Sequence, residues 1–204
     1  MKHSHDLTTG PLALHYRKLA VPAAIGMVFN TLYNVVDVFF AGLIGTDAQA
    51  GLAISFQAFF IFVTVGFGLS AAITALVGNA IGRKDDDEAS RIALQGVSFA
   101  SLSSMILLVA AFAFAPSLLT LISTDGAYRD AGLRYMMILI LSLPSFVIAY
   151  GLNGILQASG DTVSMQRALI GAFFVKLGLN PVLVFGIPPI FDGFGFNGIA
   201  AATV

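Results

Sequence analysis

The sequence predicts an all-α polytopic membrane protein, with five complete transmembrane helices and the start of a sixth. Three observations predict it. Of the 204 residues, 57% are hydrophobic and only 10% are charged, and the mean hydropathy is +0.90. A soluble globule leaves much of its surface in water and needs charge to cover it, which 10 Lys+Arg and 11 Asp+Glu cannot do here. The charges also cluster. There are none in the 35 residues 48–82, none in the 26 residues 135–160, and only Asp125 within 92–128. Crossing ~30 Å of hydrocarbon takes a helix about 20 residues, and each gap is long enough. None of them alternates as a lipid-facing barrel strand would. Backbone groups in lipid must bond within their own segment, so these stretches read as helices.

The spans follow in order as Leu19–Ile44, Gly51–Ile81, Ala89–Ala115, Gly132–Ala158 and Met165–Gly186, with a sixth beginning near Gly198. Each is bounded by a short polar loop: Gly45–Ala48, Gly82–Glu88, Ser123–Asp130, Ser159–Thr162 and Ile187–Gly193. None of these loops is long enough to be an extramembrane domain. The sixth span is cut after seven apolar residues, so the chain reads as a fragment, or as a piece whose last helix another polypeptide completes. Residues 1–18 read as a cytoplasmic tail and interfacial segment, and 19–204 as the helix bundle. Asp6–Pro11 has the pattern of a helix start with Pro early in the helix. Leu12–Arg17 then forms an interfacial approach to the first span. The first apolar stretch is too long for a cleaved signal peptide.

Orientation follows from the Lys and Arg of the loops. One side carries seven (Lys2, Arg17, Lys18, Arg83, Lys84, Arg91, Arg167) and the other two, Arg129 and Arg134. The N-terminus is therefore expected in the cytoplasm, in a multi-pass protein of the cell membrane.

Composition also excludes functions. A net charge of −1 offers no counterion release on a phosphate backbone, so no nucleic-acid partner is expected. Zero Cys removes thiolate metal sites and thiol catalysis. The three His (His3, His5, His15) all precede the first span, and His3 and His5 read as solvated. No P-loop, GxSxG or HExxH motif occurs, so the expectation is a non-enzyme without a cofactor or an ATP site of its own.

Polar side chains in lipid are costly, which makes them informative. Asp37 lies about 13 Å below the loop near Thr46, and Lys176 roughly 13–17 Å from either surface, at ~1.5 Å per residue. A Lys stem does not snorkel that far comfortably. Each therefore needs a partner, a water-filled cavity or its neutral form, and their similar depths allow them to meet. Each also has a structural reading: Asp37 as an acid bonded to neighbouring helices, Lys176 as its permanent counter-ion. Asn30, Tyr33 and Asn34 precede Asp37 at helical spacing and form a polar stripe, lining a cavity or bonding between helices. Lys176 and Asn180 are likewise four apart, and Pro181 frees a backbone carbonyl of the kind that coordinates ions in transporters. Gln57, Asn79, Asn153 and Gln157 are expected to bond across helices, and Pro144 to kink the fourth span.

The segment Asn30–Gly42 (NTLYNVVDVFFAG) resembles the first helix of the multidrug and toxic compound extrusion (MATE) transporters. Pro22–Met27 resembles the approach to that helix. Gly82–Asp85 and Gln157–Thr162 resemble two cytoplasmic loops of the family, Leu179–Gly186 its fifth-helix signature, and Gly195–Thr203 the start of its sixth helix. The resemblance implies one lobe of a two-lobe, twelve-helix transporter, with a C-terminal lobe as partner. It implies an antiporter that exports amphipathic, often cationic drugs in exchange for Na+ or H+. On this resemblance Asp37 is central to ion coupling, and Tyr33 and Thr203 match positions near a Na+ site. Two positions depart: Lys176 stands where the family commonly has Asn, and Asn180 where it has Asp. An acid is gone and a cation has arrived, which favours proton coupling through Asp37 with Lys176 as a switchable partner. The competing readings are a related flippase of lipid-linked precursors and a non-transporting membrane scaffold.

Overall fold

The computed structural model describes residues 12–187 and 191–204, with only the backbone for 12–19, 22, 23 and 191. His3, His5 and the helix start at Asp6–Pro11 lie outside the described residues, as do the side chains of His15, Arg17 and Lys18. Six long or medium helices follow one another: α1 (Leu12–Ile44), α2 (Thr46–Gly82), α3 (Asp86–Ile122), α4 (Ala127–Leu139), α5 (Leu143–Ala158) and α6 (Val163–Phe185). A 3-10 turn, Ile140–Ser142, joins α4 to α5. After α6 comes a two-stranded antiparallel hairpin, β1 (Gly186–Ile187) with β2 (Phe191–Asp192), and then α7 (Phe196–Ala201). Five segments are long and apolar enough to span a membrane, with α4 and α5 together making one of them.

The elements outrun the expected spans at several ends. α1 begins at Leu12, so the interfacial approach and the first span are one continuous helix. α2 begins at Thr46 rather than Gly51, because Gly45 alone makes the turn with φ 150 and ψ 171, a region that glycine enters without a Cβ penalty. α3 runs through Pro116 to Ile122 instead of stopping at Ala115. A single missing amide near the end of a well-packed helix is outweighed by burial of Leu119 beyond it. α6 likewise continues through Pro181. Pro144 does interrupt the fourth span: it sits in the first turn of α5, where its missing N–H costs nothing, and the 3-10 turn before it carries the change of direction.

Two caps mark the ends on the Arg83 and Arg167 side. The Asp85 carboxylate accepts from the Glu88 amide at 2.9 Å and caps α3, while Arg83 pairs with Glu88 at 2.5 Å. Asp161 accepts from the amides of Val163 and Ser164 and from the Ser164 hydroxyl, at 3.1, 3.0 and 2.6 Å, which caps α6. These bonds, the Ser164 hydroxyl first, hold the Asp161 carboxyl below its ordinary range. Their contribution is therefore present at neutral pH and is lost on acidification through that lowered value.

The core lies where α2 packs on α3, α4 and α5. Leu52, Phe59, Phe62, Leu119, Met136, Leu139, Ile140 and Leu143 form it. A smaller cluster of Ile73, Val77, Ala80 and Ala89 closes the other end. α1 packs chiefly on α6, beside this group. Glycines let the helices approach. A Cβ on Gly51 would stand 2.9 Å from the Tyr128 carbonyl oxygen, and one on Gly154 would stand 2.6 Å from that of Ser70. Short hydroxyls make the cross-helix bonds there. Ser55 Oγ donates to the Gly132 carbonyl (2.7 Å) or to that of Gly51 (2.6 Å), and Thr74 Oγ1 to Gly154 (3.1 Å) or Ser70 (2.8 Å). The amides expected in that role do not take it: among the described residues, Gln57, Asn79, Asn153 and Gln157 make no side-chain hydrogen bond. Gln57, Asn79 and Gln157 are exposed and Asn153 is only half-buried, so they do not lie in the helix crossings.

Gly154→Val is accordingly expected to push α5 off α2. The contacted atom is backbone and cannot yield, so a loss of about 1–3 kcal/mol is expected. A fall in the thermal midpoint of detergent-solubilised protein would report it. Gly82→Ala, with open space around it, is the matched control that leaves the midpoint in place.

Candidate functional site

α1 and α6 each bury a narrow stripe against the other. On α1 this includes Gly26, Asp37, Phe40 and Ala41, while Val35, Val38 and Phe39 face outward. On α6 the buried residues are Lys176, Asn180 and Val184, four apart and thus on one face. The two stripes bring Asp37 and Lys176 together in the middle of the bundle. Lys176 Nζ donates to Asp37 Oδ2 at 2.6 Å, with side-chain exposures of 2% and 0%. Asn180 Nδ2 donates to the other carboxylate oxygen at 3.5 Å, a long bond. The Lys176 ammonium also lies 3.5 Å from the centre of the Tyr33 ring, a cation–π contact.

Two more side chains close the cluster. Thr203, just past α7, lies within reach of the Tyr33 and Tyr135 phenols, while its own hydroxyl donates to the Ile199 carbonyl at 3.2 Å. Tyr135 on α4 is fully buried. Its ring stacks on Phe196 (centroids 4.8 Å apart, planes 24° apart) and meets the edge of Phe56 at 6.0 Å. Tyr135 Oη and Asn180 Oδ1 are buried without a hydrogen-bond partner among the described residues.

Burying one charge in such surroundings costs several kcal/mol, and a close, hydrogen-bonded counter-charge offsets most of that. The Asp37–Lys176 pair is neutral as a unit, so it persists when buried. Adding or removing one proton breaks that neutrality, which gives the site a large response to a small chemical change.

Of the residues singled out in the sequence, Asp37, Lys176, Asn180, Tyr33 and Thr203 come together. Asn34 does not. It is exposed, and its Nδ2 donates to the Asn30 carbonyl at 2.8 Å. Spacing alone put it on the Asp37 face, but three residues back is far enough round the helix to leave a stripe this narrow. A Na+ beside Asp37 would meet an ammonium already against that carboxylate. No group of three His, Asp or Glu gathers among the described residues. Tyr135 was missed by the sequence reading. The available signal was a phenol inside a charge-free span, since a buried Tyr hydroxyl needs something to bond.

Helices long and apolar enough to span a membrane, packed around a buried ion pair, are the architecture of an integral membrane protein. The MatE family model matches residues 22–182, and the chain belongs to that family. Among its relatives are a FAD transporter of Shewanella oneidensis, 27% identical over all of this chain and 45% of its own length, and a probable multidrug resistance protein of Bacillus subtilis, 25% identical over 90% of this chain and 40% of its own. The chain thus spans less than half the length of these relatives. Solved structures agree on the fold. An outward-facing multidrug resistance MATE family transporter superposes with a TM-score of 0.84 at 23% identity, covering 93% of this chain and 41% of that one. So does a MOP superfamily transporter from Pyrococcus furiosus described as having a binding pocket of reverse polarity, with the same values.

Proposed function

We propose that this chain is the amino-terminal lobe of a secondary antiporter that exports amphipathic, often cationic compounds by alternating access, in exchange for protons. On this reading the N-terminus is cytoplasmic and a carboxy-terminal lobe completes the transporter. The observation that supports it is the buried Asp37–Lys176 pair, which joins α1 to α6 at mid-depth. A proton taken up by Asp37 leaves the ammonium without its counter-charge in a buried site. The two helices then gain by separating or by admitting water, and this couples proton occupancy to the access state. Na+ fits less well, because the Lys176 ammonium occupies the side of the carboxylate that a bare cation needs.

Dye efflux from vesicles containing the full-length protein tests this. The wild type is expected to extrude dye when a proton gradient is imposed, and Asp37→Asn to reduce efflux to background. Undiminished efflux by Asp37→Asn would overturn the assignment. A second reading of the cargo comes from the relative named as a FAD transporter: an anionic, aromatic nucleotide, for which Lys176 would supply the cation. Competition of FAD against dye in the same vesicles separates the two.

A further inference from the structure

A cavity of about 520 Å³ opens at the end of the bundle marked by the Gly45 turn. It is lined by Thr46 and Asp47 from the start of α2, Ala131 and Arg134 from α4, and Phe196 and Asn197 from α7. Lys and Arg are scarce at this end, which is the side expected to face out of the cell. Its lining is polar and open enough to hold water. Phe196 is the link inward. It borders the cavity, and its ring stacks on Tyr135, the residue after Arg134. The Tyr135 hydroxyl is fully buried near Asp37 and Tyr33; Thr203 is within its reach but makes no well-aligned hydrogen bond to it. Asn180 Oδ1, on the amide that contacts Asp37, is a second buried atom without a partner. Buried polar atoms near an ion pair whose bonding is incomplete are what ordered water satisfies.

We infer that this cavity is the proton entrance to Asp37, with the Tyr135 hydroxyl as relay and the stacked Phe196 ring as the plug between them. The inference rests on the reading of Asp37 as the proton-coupling acid. One proton leaves a hydronium in the cavity water. The Tyr135 hydroxyl accepts it and passes its own proton through a water held by Asn180 Oδ1, and an O–H bond forms on the Asp37 carboxylate. Tyr135 ends unchanged and Lys176 keeps its charge. The titratable groups facing Asp37 are Lys176 from α6, Tyr33 on α1 itself and Tyr135 from α4. The only ionisable residue of α2 is Asp47, in the cavity, and α7 has none. Tyr135 is a positioning and relay residue, distinct from the cargo-contacting groups.

The test uses full-length protein in liposomes with a pH-sensitive dye inside, following proton entry after an external pH jump in the presence of substrate. Tyr135→Phe keeps the ring stack and removes the relay, and is expected to slow initial proton entry about tenfold or more. These 204 residues contain no Cys, so, with any Cys of the other lobe replaced by Ser, Ala131→Cys can be labelled with a bulky maleimide from outside and compared with the same variant unlabelled. Labelling is expected to slow proton entry to a similar degree. Proton entry at the unlabelled rate after complete labelling would overturn the inference, as would wild-type entry in Tyr135→Phe. If Tyr135→Phe fails to fold, the labelled Ala131→Cys arm decides. Proton entry that survives Asp37→Asn overturns the coupling reading itself, and is a separate result.

Discussion

Lys176→Met is expected to destabilise the protein by about 3–5 kcal/mol, among the largest losses that a single substitution produces here. The reason is what it leaves behind. Asp37 is fully buried, and its other contact, to Asn180 at 3.5 Å, is too long to compensate a carboxylate. Asp37→Asn is expected to cost a similar amount from the opposite side, since the ammonium would keep only the Tyr33 ring. The double variant Asp37→Leu/Lys176→Met removes both charges and is expected to unfold at or above the wild-type midpoint, because an apolar pair of similar volume carries no desolvation penalty. Unfolding of the four proteins in detergent micelles measures this. Equal midpoints for Lys176→Met and the wild type would mean that water reaches the pair. A double variant that is stable and inactive would show that the charges are kept for transport rather than for folding.

The fold was legible because lipid leaves few choices. Long charge-free segments in a chain of this composition can be little other than helices, and the loops between them carry nearly all the charge. Helix ends were less legible. Whether α3 stops before Pro116 or passes through it depends on Leu119 being buried beyond it, which is a tertiary fact. Much of the site could be read for the same reason as the fold: Asp37 and Lys176 are too deep for lipid, so their meeting followed from cost and depth. Asn34 lies outside the buried stripe because a helical wheel gives direction but not the width of that stripe. Tyr135 stayed hidden because a tyrosine in an apolar span is unremarkable until α7 brings Phe196 against it. The expected amide bridges do not form because Gln57, Asn79 and Gln157 face outward, while the close crossings at Gly51, Gly132 and Gly154 are bridged by the short hydroxyls of Ser55 and Thr74.

Lys176→Asn is expected to give the transporter a dependence on Na+ that the wild type lacks. In the wild type the ammonium sits 2.6 Å from Asp37 Oδ2 and occupies the place of a free cation. Removing it leaves a buried carboxylate beside the Asn180 amide, whose oxygen has no partner and can turn toward a cation, and near the Tyr33 phenol, which Thr203 reaches. A carboxylate with neutral oxygen donors suits a hard monovalent cation, and Lys176→Asn adds one more carbonyl oxygen. Adding Asn180→Asp supplies a second negative charge and is expected to strengthen the effect. At fixed pH, imposing a Na+ gradient is expected to raise efflux roughly tenfold in the variants relative to Na+-free buffer, equivalent to about 1.4 kcal/mol of added cation binding. Because the Lys176→Met loss applies to any neutral replacement, Na+ is also expected to restore part of the lost thermal midpoint, as a ligand bound only by the folded state does. That rescue separates a created site from a merely broken pair. Wild-type efflux that already follows a Na+ gradient at fixed pH would sink the argument, since it would place the coupling ion somewhere the Lys176 ammonium does not block.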